Sequence, residues 1–405
     1  MKYIVVLGDG MADYAVSEFD GNTILDVADK PHMDYMASHG ELGMVKTVAD
    51  GMKPGSDVAN LSVMGYDTKK CYSGRSPLEA ASIGVTLKDT DVTFRANLVT
   101  LSYEENYEDK TMVDYSAGEI TTEEARELIE AVNDALHTEA HTFYAGVSYR
   151  HLLVWDNGSV NVKLTPPHDI SDKKITDHLP KGDGADILLD FMKKSEKILK
   201  EHPVNKKRIE AGKRPATSIW LWGEGTKPQL EDFYKKFNKK GSVVSAVDLI
   251  KGIAILAGMN SIDVEGANGN FDTNYKGKAD AGFDALTKDG ADMVYLHLEG
   301  PDECGHRGEA DNKKYAVEQI DEKVIGYLMK RLEEAGIEYK MMVLPDHPTP
   351  ISLKTHVSDP VPYIIYESSV DEKKNDFTYC EKDAKKTGIF VEKGYELMAR
   401  FLDVE

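Results

Sequence analysis

Three pairings of acids and histidines carry the chemical potential of this chain of 405 residues. Asp302-Glu303-Cys304-Gly305-His306 sets an aspartate and a histidine four residues apart, a spacing that lets both face one ion. Asp346-His347 places two ligand types side by side, each able to reach a different neighbouring site, and His356 follows in Lys354-Thr355-His356. Asp9, in Gly8-Asp9-Gly10, supplies a fourth segment. Divalent cations take deprotonated oxygen and imidazole nitrogen, and these residues suffice for two ions. Two ions clamp the attacking and leaving oxygens of a phosphoryl transfer. The nucleophile that fits is Ser56, in Pro54-Gly55-Ser56-Asp57-Val58-Ala59-Asn60-Leu61. Gly55 permits a tight approach, a serine at a helix start lies among positive backbone amides, and beside metal ions its hydroxyl needs no separate general base. Singly, each fragment reads as a surface pair, a turn or a cap; the case rests on their joint occurrence.

The elements around these residues explain how they could meet. Tyr3 to Leu7 is continuously apolar, the mark of a strand buried on both faces, and it ends at Asp9. Met293 to Leu298 runs as a second strand into Glu299-Gly300-Pro301-Asp302, and Tyr339 to Leu344 as a third into Pro345-Asp346-His347. Leu25 to His39 reads as one helix closed by Gly40, and Val317, Ile320, Val324, Leu328 and Leu332 keep helical spacing up to Gly336. A last strand is expected from Val361 to Tyr366. Alternating strands and helices predict a mainly parallel sheet with helices on both faces, whose ligands lie at the carboxyl ends of strands. The ligand segments are nearly three hundred residues apart, which predicts a core interrupted by an insertion. The middle of the chain has a different texture: strand-like pieces at Phe94 to Leu101, His151 to Trp155 and Ser218 to Trp222, and helices near Thr121 to Leu136 and Ala185 to Lys200. The basic run Asn205-Lys206-Lys207-Arg208 reads as a solvated face or hinge. The expected division is a core of 1–88 and 241–405 around an inserted α+β domain of 89–240.

Composition narrows the partners. A formal net charge of −21 repels nucleic acid and anionic membranes alike, so an anionic small molecule would need metals and arginines to reverse the field locally. No apolar run approaches the roughly 20 residues of a membrane helix, no signal-peptide pattern opens the chain, and three cysteines (Cys71, Cys304, Cys380) make no disulfide framework. A cytoplasmic enzyme is the expectation. Oligomeric state is not legible.

The series Gly8-Asp9-Gly10-Met11-Ala12-Asp13, Gly55-Ser56-Asp57-Val58-Ala59-Asn60, Gly74-Arg75-Ser76-Pro77-Leu78-Glu79-Ala80, Pro301-Asp302-Glu303-Cys304-Gly305-His306 and Asp346-His347-Pro348-Thr349-Pro350 resembles the cofactor-independent phosphoglycerate mutases of the archaeal type, within the alkaline phosphatase superfamily. The resemblance spans nearly the whole chain. It implies an alkaline-phosphatase-like α/β core with an inserted cap domain that encloses the substrate. It implies that Ser56 is the phosphorylated nucleophile, that Asp9, Ser56, Asp346 and His347 hold one ion, and that Asp302, His306 and His356 hold the other. Manganese is the expected metal, with magnesium, zinc and cobalt left open. The implied reaction moves phosphate from 3-phosphoglycerate to the serine and back to the 2-hydroxyl of the reoriented glycerate. Arg95, Arg150, His151, His168 and Lys276 are the candidates for gripping phosphate and carboxylate. The chain departs from the pattern in two places: Glu265-Gly266-Ala267-Asn268-Gly269 stands where a Pro-Gly-Ala-Thr-Gly-like turn is usual, and Ser116-Ala117-Gly118-Glu119 where the family commonly reads Ser-Ala-Gly-His. A glutamate only accepts hydrogen bonds, and it suits an ammonium group better than an anion. The alternative expectation is therefore an ATP-dependent, homoserine-kinase-like phosphotransferase on the same scaffold. No Gly-x-x-x-x-Gly-Lys-Ser/Thr loop is present to support an ordinary P-loop kinase.

Overall fold

A computed structural model describes residues 1–370 and 372–404. The chain forms two compact units, Met1–Tyr72 with Gln229–Glu405, and Ser73–Pro228. The first unit is built on an eight-stranded sheet in the order Asn260–Ile262, Gly241–Val244, Met293–Leu298, Lys2–Gly8, Tyr339–Leu344, Val361–Glu367, Glu41–Val45, Phe390–Val391. The first five strands run parallel, as their apolar sequences require: Ile4, Val5, Val6 and Leu7 are all fully buried, so both faces are covered. Val361–Glu367 breaks the rule, lying antiparallel to both of its neighbours. On one face Ile4, Val6, Val294, Leu296, Met341 and Val343 pack against Met33, Met36, Ala279, Val317, Ile320 and Leu328 of the covering helices.

Parallel register does the essential positioning. Leu7 lies beside both His297 and Leu344, so three strands end level with one another. The residues that follow, Asp9, Glu299 to Asp302 and Asp346 to His347, therefore emerge at one edge. The backbone approaches closely there: Gly10 has φ +63°, and a Cβ on it would lie 2.6 Å from Asp302 Oδ1 and from Thr349 Oγ1.

Two helical expectations are refined. The stretch expected as one helix from Leu25 is two, Ile24–Val27 and Pro31–His39, because Pro31 cannot donate to a continuing helix and sits instead at its first position. The long helix before Gly336 contains a π-helical turn, Asp321–Gly326. Asp321 in this widened turn accepts from the Met33 and His32 amides (2.7 and 3.2 Å) and from His32 Nδ1, capping the Pro31–His39 helix, whose own N-cap Lys30 offers no side-chain cap. Among the described residues no helix is long and apolar enough to cross a membrane.

The second unit is antiparallel. Asp91–Leu101 pairs with Arg150–Asp156, with Ser218–Thr226 and, at its end, with Met112–Asp114; His141–Val147 pairs with Arg150–Asp156. Helices Thr122–Leu136 and Ala185–Glu201 bury Leu128, Ile129, Val132, Leu188 and Met192 in the same core as Phe94, Ala96 and Leu98 of the sheet. Thr121 closes a capping box with Glu124. In the basic run, Arg208 is buried, donating to Glu124 and to the Ala117 carbonyl, whereas Lys206 and Lys207 are exposed.

A buried ion pair ties the loops of the sheet edge together. Lys313 Nζ donates to Asp13 Oδ2 (2.6 Å), the Ala12 carbonyl and the Thr349 carbonyl, so all three of its protons are used. Asp13 also accepts from the Ile351 amide (3.2 Å). The loop carrying Asp9 is thereby pinned to the loop carrying Asp346 and His347. Lys313→Met should destabilise the chain by about 3–5 kcal/mol, since it strands a buried carboxylate, and adding Asp13→Leu should recover most of the loss. Urea unfolding of the two variants measures both effects; a Lys313→Met variant as stable as the parent would refute the staple.

Candidate metal and nucleophile site

Asp9 and Asp346 are fully buried and Asp302 nearly so. With His347 and His356 they form two groups whose ligand atoms lie within 4.8 Å of one another: Asp9, Asp346 and His347, and Asp302, His347 and His356. His306 adjoins the second group, with Nε2 at 3.3 Å from Asp302 Oδ2 and 2.9 Å from His356 Nε2. His356 Nε2 is 3.3 Å from Asp302 Oδ1. Ser56 Oγ lies 3.3 Å from His347 Nε2, which in turn is 3.3 Å from Asp346 Oδ2. All seven residues expected as ligands or nucleophile thus converge, with His347 within reach of both groups.

The surrounding hydrogen bonds turn ligand atoms inward. His306 donates from Nδ1 to the Lys354 carbonyl (3.1 Å), which leaves Nε2 facing Asp302. Thr349 gives its one hydroxyl proton to Asp302 Oδ1, so its oxygen is free to accept from His347 Nδ1 (3.3 Å) and His347 Nε2 points at the acids. Asn60 Nδ2 donates both to Asp346 Oδ2 (2.8 Å) and to the Ser56 carbonyl (2.9 Å), while Asn60 Oδ1 accepts from buried Tyr295 (2.7 Å). Asp346 Oδ1 takes the amides of Gly10 and His347. Ser56 opens the helix Ser56–Val63, placing its oxygen at the positive end of the helix dipole.

Charge bookkeeping tests whether cations fit. Burial first, then the charges of Asp346, Asp302 and Glu299, push the Asp9 carboxyl well above its ordinary range. Asp9 Oδ1 has no hydrogen-bond partner, and His347 Nε2 is 3.7 Å away from it. Burial would raise Asp302 too, but hydrogen bonds from His306 and His356 hold it well below the carboxylate range, and the same contact with Asp302 raises His306 to about 9. Crowded acids, an orphaned buried oxygen and inward imidazole nitrogens are the donor set that divalent ions satisfy.

The substrate candidates fall into different settings. The register sets Asn97 opposite Arg150 and Arg95 opposite Leu152, so Arg95, Asn97 and Arg150 share one face of the second unit's sheet. Arg95 pairs with Glu79 (3.0 Å) and lies over Trp222, 4.3 Å from the ring centroid. His168 packs edge-on to Trp222 and Tyr115, and is lowered by burial and, against the pull of Asp169, by the charges of Arg95 and Arg75. His151 sits opposite Ala96 on the other face, buried, accepting from the Gly146 amide (3.0 Å) with Nε2 unpartnered. In the first unit Lys276 is exposed, 5.4 Å from the Tyr327 ring, whereas Lys278 is buried, donating to the His297 carbonyl (3.0 Å) and lowered to about 8 by desolvation. Glu119 is exposed in a loop where Ala117, Gly118 and Glu119 all have positive φ.

Several contributors escaped the sequence reading: Asn60, Thr349, Tyr295, His297, Lys278, Lys313 and Arg75. Asn60, Thr349 and Arg75 lie inside the motifs quoted above, and His297 is a lone imidazole in an apolar strand.

An α/β sheet gathering acids, histidines and a serine at one edge is the frame of a metal-dependent enzyme. The family model described as 2,3-bisphosphoglycerate-independent phosphoglycerate mutase matches residues 37–205, and that described as type I phosphodiesterase / nucleotide pyrophosphatase matches 138–357. A Geobacter sulfurreducens protein named "Probable 2,3-bisphosphoglycerate-independent phosphoglycerate mutase" is 50% identical over all of both chains, and a Methanosarcina barkeri protein named 2,3-bisphosphoglycerate-independent phosphoglycerate mutase is 48% identical over 98% of each. A solved Pyrococcus horikoshii structure, 29% identical, superposes with a TM-score of 0.82 over 99% of this chain and 97% of its own. The chain belongs to the 2,3-bisphosphoglycerate-independent phosphoglycerate mutase family.

Divalent metal binding near pH 7 should expel the proton held by His306, because its ion-free value lies near 9. Apparent affinity should therefore rise with pH until about 9. Calorimetric titration in buffers of different ionisation enthalpy reads the released proton directly; heats independent of buffer would contradict the assignment.

Proposed function

We propose that this chain interconverts 3-phosphoglycerate and 2-phosphoglycerate, without nucleotide or bisphosphoglycerate, through a phosphoserine at Ser56. The observation that carries the reading is Ser56 Oγ at 3.3 Å from His347 Nε2, beside the buried acids Asp9 and Asp346. The curated relatives at 48–50% identity that bear the phosphoglycerate mutase name support it.

Asp9, Ser56, Asp346 and His347 would hold one divalent ion and Asp302, His306 and His356 a second, with manganese as our choice. Bound there, the ions would supply positive charge to the phosphoryl oxygens and lower the cost of ionising the serine hydroxyl. Ser56 Oγ gives up its proton and forms the new bond to phosphorus as the bond to the glycerate 3-oxygen breaks, and that oxygen takes up a proton in exchange. After glycerate reorients, its 2-hydroxyl oxygen loses its proton and attacks the phosphoserine, and Ser56 Oγ leaves and is reprotonated. Asn60 keeps the serine turn and the Asp346 carboxylate in fixed relation throughout. Arg95 and Arg150, with His168, are proposed to take the carboxylate and phosphate charges of the substrate. His151 and Lys276 are weaker supports, the first buried on the opposite face of the sheet and the second exposed beside Tyr327. We propose the inserted domain as the substrate cap and the cytoplasm as the compartment, the latter because Cys71, Cys304 and Cys380 are buried free thiols.

The homoserine kinase reading finds no support in the relatives described. Glu119 is then a tolerated variation in an exposed loop. A paired assay separates the two: metal-loaded protein should convert 3-phosphoglycerate to 2-phosphoglycerate without nucleotide and should leave homoserine and ATP unchanged. Chelation should abolish turnover and divalent metal restore it. Ser56→Ala should retain its circular dichroism spectrum while losing at least about 10³-fold in kcat, the scale on which removing a nucleophile acts. Turnover of homoserine, or substantial activity in Ser56→Ala, would overturn the proposal.

A further inference from the structure

His297 is buried at the carboxyl end of Met293–Leu298, outside the ligand sets above. Its Nε2 lies 2.9 Å from Asp9 Oδ2, and its Nδ1 lies 3.2 Å from Ser245 Oγ. Ser245 Oγ also accepts the Val247 amide (3.0 Å). Opposite a cation Asp9 is ionised and can only accept, so Nε2 carries the ring proton, and Nδ1 is left to accept the one hydroxyl proton of Ser245. The strand end that carries the ring is held as well, since Lys278 Nζ donates to the His297 carbonyl. One oxygen of Asp9 is thus fixed by a neutral donor, while the other, Oδ1, has no hydrogen-bond partner and lies 3.7 Å from His347 Nε2.

We propose that His297 is a positioning residue for the cation site of Asp9, with Ser245 holding its tautomer so that Asp9 Oδ1 faces the ion. The inference rests on the two-ion reading above. A charged donor in this place would compete with the cation, and an apolar side chain would leave the carboxylate free to rotate. A neutral imidazole whose second nitrogen is occupied by Ser245 orients the acid without adding positive charge.

Isothermal titration with manganese chloride, on metal-stripped protein, tests this apart from catalysis. The parent should bind two ions. In His297→Leu one of the two steps should weaken by roughly 10–100-fold, the usual effect of losing an outer hydrogen-bond partner, while the other step stays within a few-fold. His297→Gln, whose amide nitrogen can stand near Nε2, should restore most of that affinity, and Ser245→Ala should show a smaller loss in the same step. Two unchanged steps in His297→Leu, or equal weakening of both steps in the Leu and Gln variants, would overturn the proposal. Should His297→Leu fail to fold, Ser245→Ala decides it: a loss confined to one step supports the proposal, and parent-like titration overturns it. A parent that binds no manganese would instead sink the two-ion reading.

Discussion

Asp9, Asp302 and Asp346 are three buried carboxylates, and Asp9 in particular is crowded by the charges of Asp346 and Asp302. Two like charges about 4 Å apart repel by roughly 4 kcal/mol at the effective dielectric near a protein surface. One such pair, Asp9 with Asp346, is a large share of the folding stability of a typical domain, about 5–15 kcal/mol. Ion-free, the protein relieves the strain by holding protons: Asp9 is driven upward, and His306 keeps a proton against Asp302. Such a group offers the donors that a cation would satisfy.

Much of the first unit follows from holding that arrangement in place. Level parallel strands bring the three acid-bearing loops to one edge, Gly10 allows the loops to close on one another, and Lys313 with Asp13 binds two of the loops together. Asn60 and Thr349 then each hold two functional groups, Asn60 joining Ser56 to Asp346 and Thr349 joining Asp302 to His347. Ser56, the candidate nucleophile, therefore shares a hydrogen-bonding side chain with a candidate ligand. The second unit solves a different problem, presenting Arg95 and Arg150 on one sheet face with Glu79 and Trp222 to hold Arg95 in place.

What was legible in the sequence was what is local. Apolar runs ending in acids revealed the strands and the edge at which ligands would meet, and Asp302 to His306 showed its four-residue spacing without any fold. The antiparallel course of Val361–Glu367 was not legible, because strand direction depends on connections rather than on the strand's own residues. Pro31 was a visible stop that hydrophobic spacing alone overrode. The partners of the ligands were hidden for another reason: Thr349, Tyr295 and His297 acquire their roles only through contacts between segments far apart in the chain. Pleat likewise separated His151 from Arg150, adjacent in sequence but on opposite sheet faces.

The most direct test of the central claim is anomalous diffraction from crystals of the protein grown with manganese. Two peaks are expected in the first unit, one among Asp9, Ser56, Asp346 and His347 and one among Asp302, His306 and His356. A fully occupied crystal form with no metal among these residues, or with the three acids paired to protein cations instead, would contradict it.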